Sequence, residues 1–237
     1  MNRLSVVIFS LTFVFIVIAV AASSLTNDSL LISAPTENEG FVILIDAGHG
    51  GEDGGTSSAD GTLEKDINLS IAKYLKQMLD VAGYNTIMTR EDDNQIGDNS
   101  LPTIRQRKVS DIRKRLELTQ SNPNCLMISI HQNYYSSPQY SGTQVFYSPS
   151  SPESRILAES VQGSVVSLLQ KNNNRQIKEI GTNVYLLYNC KVPAIMVECG
   201  FMSNVNESEK LKNKDYQQQM AFSIMCGIQK YLEEQNG

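Results

Sequence analysis

The sequence predicts an α/β domain: one twisted, largely parallel or mixed β-sheet covered by helices on both faces. Three observations predict it. Short apolar runs rich in β-branched residues, at 41–45, 125–130 and 194–198, each end abruptly in polar or glycine residues. Between them lie stretches whose apolar residues recur at intervals of three and four. The connections are short. Continuous apolar strands alternating with amphipathic helices are what a sheet buried on both faces requires.

The elements follow in order. Residues 1–22 carry Arg3 and then an apolar stretch broken only by Ser5, Ser10 and Thr12, and Ala19-Val20-Ala21 has the small-x-small form of a signal-peptidase site. The stretch is long for a signal peptide and close to membrane-spanning length, so it reads as either a cleaved signal or a membrane anchor. Both readings place the rest of the chain outside the cytoplasm, exported and extracytoplasmic. Residues 23–40 mix Ser, Thr, Asn and Glu without sustained periodicity and read as a linker. The folded domain is expected over 41–237.

Residues 41–45 form the first strand, which breaks at Asp46 into a glycine-rich turn. Ile67, Ile71, Leu75, Met78, Leu79 and Ala82 then mark a helix that begins near Glu64 and stops at Gly83. A strand at 85–89, a loop at 92–102 and a strongly charged helix at 104–119 follow, with Val109, Ile112 and Leu116 in phase. Strands are expected at 125–130 and 142–147, a helix at 153–169, and strands at 184–187 and 194–198. A final helix at 216–232 is marked by Met220, Ile224, Ile228 and Tyr231.

The chain has 237 residues, 41% of them hydrophobic, enough for one substantial core. A net charge of −5 with no dense run of Lys or Arg argues against a nucleic-acid partner. Cys125, Cys190, Cys199 and Cys226 all lie inside apolar runs without metal-like spacing, so buried free thiols are expected. Cys190 with Cys199 is the first pair to test for a disulfide.

Functional groups of open α/β sheets gather at the carboxyl ends of strands. The sequence places three polar clusters there: Asp46-Ala-Gly-His-Gly-Gly51, Ile130-His131-Gln132-Asn133 and Val197-Glu198-Cys199-Gly200. The chain has two histidines, and both His49 and His131 directly follow a buried strand. Catalytic zinc takes three protein ligands, with two histidines and a glutamate among the recurring sets. Glu64, opening the first helix after the His49 loop, can return over the same strand edge, where the helix N-terminus favours a carboxylate. Glu198 ends an apolar strand, where a carboxylate needs a partner, a metal or a cleft, and it suits the general base. Cys199, as a nucleophile with His131, would point to the opposite face from Glu198, and burial explains it better. The segment 48–55 lacks the Lys-Ser/Thr ending of a phosphate-binding loop.

These blocks resemble the zinc-dependent N-acetylmuramoyl-L-alanine amidases, often called amidase type 3. The residues that carry the resemblance are Ile45-Asp-Ala-Gly-His-Gly-Gly with Asp53 and Gly54, Leu63-Glu-Lys-Asp66, Ser129-Ile-His-Gln-Asn133, Ser141-Gly-Thr143 and Val197-Glu-Cys-Gly-Phe-Met-Ser-Asn204. The resemblance implies zinc held by His49, Glu64 and His131, Glu198 as catalytic acid/base, and cleavage of the amide joining N-acetylmuramic acid to L-alanine in peptidoglycan. It also suggests Asp46 as a residue that orients a ligating imidazole, and Gln132 and Asn133 as contacts to the muropeptide. Gln144 stands where relatives often carry Glu. Residues 134–152 are too few for the zinc-blocking helix of some members, and no wall-binding repeats flank the domain. A leader with a bare catalytic domain is similar to the CwlD-type spore-cortex amidases, which prepare muramic acid for δ-lactam formation, and leaves room for an activating lipoprotein partner. Two other readings stand beside this one. A zinc peptidase of the peptide stem would show a motif such as H-E-x-x-H, and a non-catalytic peptidoglycan-binding module would have lost one of the four key residues.

Overall fold

A computed structural model describes residues 40–236. The leader expected at 1–22 and nearly all of the linker lie outside the described residues. Six strands, β1 (Val42–Ala47), β2 (Thr86–Met88), β3 (Cys125–Asn133), β4 (Gln144–Tyr147), β5 (Lys178–Glu179) and β6 (Ala194–Phe201), form one sheet in the order β2-β1-β3-β6-β4-β5. β4 runs antiparallel to β6, and the remaining neighbours are parallel. The helices are α1 (Glu64–Val81), α2 (Ile104–Ser121), α3 (Pro152–Leu168), α4 (Tyr185–Asn189), α5 (Val205–Lys212) and α6 (Lys214–Asn236).

Strand alternation divides the core into two layers. Ile43, Ile45, Ile128, Ile130, Ile195 and Val197 face α1, α3 and α6, where Ile71, Leu75, Val161, Val165, Ile224 and Ile228 meet them, all fully buried. Val42, Leu44, Met127, Ala194 and Met196 face the other way, against Leu116 of α2 and Leu186 and Leu187 of α4. Helices on both faces of a mixed sheet, in which β4 and β5 run opposite to the other four strands, match the predicted class.

Two details depart from the sequence expectations. Residues 184–187, expected as a strand, lie in and beside the short helix α4. The true edge strand is the two-residue β5, fully solvent-exposed. Val109 and Ile112, expected on the inner face of α2, are 41% and 37% exposed. That helix buries Asp111, Arg115, Leu116 and Thr119 instead, so its inward face is polar. All four cysteines are free, and Cys190 and Cys199 belong to opposite core layers, which precludes their pairing.

Candidate metal centre

The site forms where β1, β3 and β6 end. After Ala47 the chain turns through Gly48 and His49, whose φ of 62° places a non-glycine residue in the left-handed region. Such a conformation costs about 1–3 kcal/mol and persists only where its surroundings enforce it. Two buried arginines do so. Arg115 of α2 donates from Nη2 to the His49 carbonyl at 2.6 Å and from Nη1 to the Ala47 carbonyl at 2.8 Å. Arg90 donates from Nε to the Ala47 carbonyl at 2.9 Å and from Nη2 to the carbonyls of Gly48 and Lys65 at 3.0 and 2.8 Å. The polar inner face of α2 is therefore the clamp on this loop.

Asp46 is not the residue that orients an imidazole. It accepts from Arg115 Nη1, Thr89 Oγ1 and Ser129 Oγ at 2.5, 2.9 and 2.5 Å, and so anchors the clamp. Burial opposes its charge, but the Arg115 guanidinium and the Ser129 hydroxyl outweigh burial and hold its carboxyl below the usual range. Asp53 orients the histidine: His49 Nδ1 donates to its Oδ2 at 2.9 Å, and Lys108 Nζ lies 2.6 Å from the other oxygen. This fixes the ring so that Nε2 faces Glu64 at 3.3 Å.

Glu64, 3% exposed, begins α1. Its Oε2 accepts from the Thr56 amide at 2.9 Å, and its Oε1 from the Gln132 amide at 3.0 Å and Asn68 Nδ2 at 3.2 Å. His131 Nδ1 lies 2.9 Å from Oε1. Desolvation of Glu64 is overcome by the two imidazoles, which keep it ionised far below the usual carboxylate range. For His49 burial likewise works against charge, but the bonds to Asp53 and Glu64 win and push its pKa up to about 9.

Packing leaves no slack around these groups. A Cβ on Gly48 would lie 2.2 Å from the His131 ring, and one on Gly55, at φ +70°, would lie 2.5 Å from a Glu64 oxygen. Only glycine lets the backbone approach this closely.

Glu198 pairs in register with His131 across β3 and β6, so both side chains rise from one face of the sheet. Its Oε2 is buried without a hydrogen-bond partner. Burial pushes its pKa up to about 7, partly offset by His131. The carboxyl can therefore change protonation near neutrality, and it stands beside the three-residue cluster without bonding to it.

His49, Glu64 and His131 each offer one ligand atom, and these atoms lie within 4.8 Å of one another. Two imidazoles and one carboxylate are the donor set zinc uses in catalytic sites that keep a position open for water. The three donors converge, the Asp53 carboxylate backs one of them, and the cradle excludes any added Cβ, so the residues fit such an ion. Gln132, expected to touch substrate, is 3% exposed, and its Nε2 donates to Asn68 Oδ1 at 3.1 Å, behind Glu64. It supports the ligand cluster. The roles of Asp53, Asn68 and Arg115 were not read from the sequence. Asp53 stands in the glycine-rich segment after β1, and its i, i+4 distance from His49 is the sequence signal for that role.

Comparison with known proteins places this arrangement. The family model described as N-acetylmuramoyl-L-alanine amidase matches residues 43–230. The germination-specific N-acetylmuramoyl-L-alanine amidase of Bacillus subtilis (strain 168) is 36% identical over 195 residues, covering 82% of this chain and 81% of the relative. The structure of the CwlD amidase from Clostridioides difficile in complex with the GerS lipoprotein superposes with a TM-score of 0.79 at 36% identity, covering 81% of this chain and 98% of that one. An N-acetylmuramoyl-L-alanine amidase from Clostridium difficile 630 gives 0.70 at 31% identity, covering 81% and 97%.

Proposed function

We infer, for a chain that belongs to the N-acetylmuramoyl-L-alanine amidase family, that hydrolysis runs on zinc held by His49, Glu64 and His131 with Glu198 as the proton-transfer group. The activity itself is that of the family: cleavage of the amide between N-acetylmuramic acid and L-alanine in peptidoglycan, an extracytoplasmic substrate. The observation that carries the reading is the convergence of three donor atoms within 4.8 Å beside a buried carboxyl whose outer oxygen has no partner.

When bound, zinc supplies Lewis acidity that polarises the amide carbonyl and makes water more acidic. The chain's own residues do the rest. Asp53 and the two arginines hold the His49 loop in its strained turn, so no reorganisation is needed as charge develops. Glu198 Oε2 takes a proton from the attacking water and returns it to the leaving L-alanine nitrogen. A carboxyl with a pKa of about 7 suits both halves of that exchange near neutral pH. Digestion of purified peptidoglycan with the whole protein, followed by end-group analysis, tests the reading. New L-alanine amino termini are expected, and new termini within the stem peptide would instead indicate a peptidase.

The proposed setting draws support from the relatives. A germination-specific amidase at 36% identity supports the reading that this enzyme acts on spore cortex and takes part in forming muramic δ-lactam. A similar amidase structure described in complex with the GerS lipoprotein supports an activating lipoprotein partner, one that orders the loops carrying His49 and Glu64 and so strengthens zinc binding. Expression in a spore former lacking its own germination amidase tests the setting. δ-lactam should return to the cortex, and its continued absence would assign the enzyme to other wall material.

A further inference from the structure

The row that carries His131 and Glu198 continues one strand further. Gln144 of β4 pairs in register with Glu198, so the side chains of His131, Glu198 and Gln144 stand side by side on one face of the sheet. Gln144 Oε1 accepts from Arg175 Nη1 at 2.9 Å, while Arg175 Nε donates to the Ser141 carbonyl at 2.8 Å. The guanidinium lies over the Phe201 ring at 4.5 Å and the Tyr140 ring at 5.8 Å. A cation stacked on one aromatic face and pinned at two nitrogens is preorganised.

Among the described residues no carboxylate oxygen lies within salt-bridge distance of Arg175, although the Glu207 carboxylate is near enough to feel its charge. Nη2 makes no hydrogen bond with any of them, although the side chain is half-buried. The acidic residue of the neighbourhood, Glu207, commits its two oxygens to the amides of Gly142 and Phe201, each at 2.8 Å. The side chain that does hold the guanidinium, Gln144, is neutral. A fixed guanidinium with no direct carboxylate contact and a free edge can take a carboxylate.

We propose that Arg175 is a specificity-determining residue that binds a free carboxylate on the stem-peptide residue following L-alanine. The proposal rests on the amidase reading. Facing residues on paired strands stand about 4.5–5.5 Å apart, and an extended peptide advances about 3.3–3.6 Å per residue. The guanidinium, one side chain beyond Gln144, therefore lies within one or two residues' reach of an amide cleaved beside Glu198. A carboxylate carried by the residue after L-alanine falls within that reach.

Two N-acetylmuramoyl tripeptides, identical except that the second residue carries a free carboxylate or its carboxamide, test this. Dissociation constants of the whole protein are read by calorimetry, with turnover of each substrate alongside. Wild type should bind the acid about tenfold to hundredfold more tightly than the amide, the range expected for one charge-assisted hydrogen bond. Arg175→Gln should abolish that preference by weakening the acid far more than the amide, while Arg175→Lys should recover part of it. Gln144→Glu, which keeps the guanidinium in place but neutralises it, should also weaken the acid. Equal binding of acid and amide by wild type, or an Arg175→Gln loss equal for both, would overturn the proposal. A clear preference in binding without any release of L-alanyl peptides would leave Arg175 as the anion site and overturn the amidase reading alone.

Discussion

Single residues at the site divide into groups that would hold metal and one that would move protons. Glu198→Gln keeps shape and hydrogen-bonding capacity but removes the titrating oxygen, so it should retain zinc and lose about 10²–10⁴-fold in turnover. Turnover near wild type would assign the proton to another group. Asp53→Ala removes the carboxylate that fixes the His49 ring, and should weaken zinc binding by about 10–100-fold with the fold intact. Unchanged zinc affinity would mean that the Arg115 and Arg90 clamp suffices. The four candidate residues stand out in the sequence because each falls near the carboxyl end of an apolar strand or opens a helix, positions that periodicity locates, although β3 and β6 run on past His131 and Glu198 to Asn133 and Phe201. Asp53 and Arg175 do not stand out. Their roles depend on a glycine turn and on aromatic stacking across the chain, and neither has a period. Asp46 was assigned the wrong task for the related reason that alternation turns it toward α2, where Arg115 waits.

At the scale of elements, α2 is unusual: its inner face is a buried ion pair and not an apolar stripe. Asp46 and Arg115 are 1% and 3% exposed, and Asp111 adds a second carboxylate at 2.7 Å from Arg115 Nε. Removing one partner of such a pair leaves a buried charge, so Asp46→Asn should cost about 3–5 kcal/mol in denaturant unfolding. Because folding lowers the Asp46 pKa, the pair's contribution is present above the ordinary value of 3.8 and is lost as pH falls through the lower folded value. The stability gap between wild type and Asp46→Asn should accordingly narrow below about pH 4. A gap independent of pH would show that the carboxylate's charge is not what stabilises the loop. Sequence periodicity failed at this helix because it weighs only apolar residues, and it failed at 184–187 because four apolar residues fit a strand and a helical turn equally well. It succeeded for α1, where Ile67, Ile71, Leu75 and Leu79 all enter the core. Ile71→Ala there should cost about 2–5 kcal/mol without altering the fold.

At the scale of the whole molecule, the sheet acts as a ruler. His131, Glu198 and Gln144 are set side by side by strand pairing, with the clamped His49 loop and the first turn of α1 closing over one end and Arg175 standing at the other. This arrangement sets the candidate ligand cluster, the proposed proton-transfer group and the proposed anion site side by side across neighbouring strands. The most direct test is a calorimetric titration of zinc into metal-free wild type, Glu198→Gln, His49→Ala and His131→Ala proteins, each verified as folded. The account predicts one tight site per chain in wild type and Glu198→Gln, and loss of that site in both histidine variants. Full zinc binding by either histidine variant, or its loss in Glu198→Gln, would contradict it.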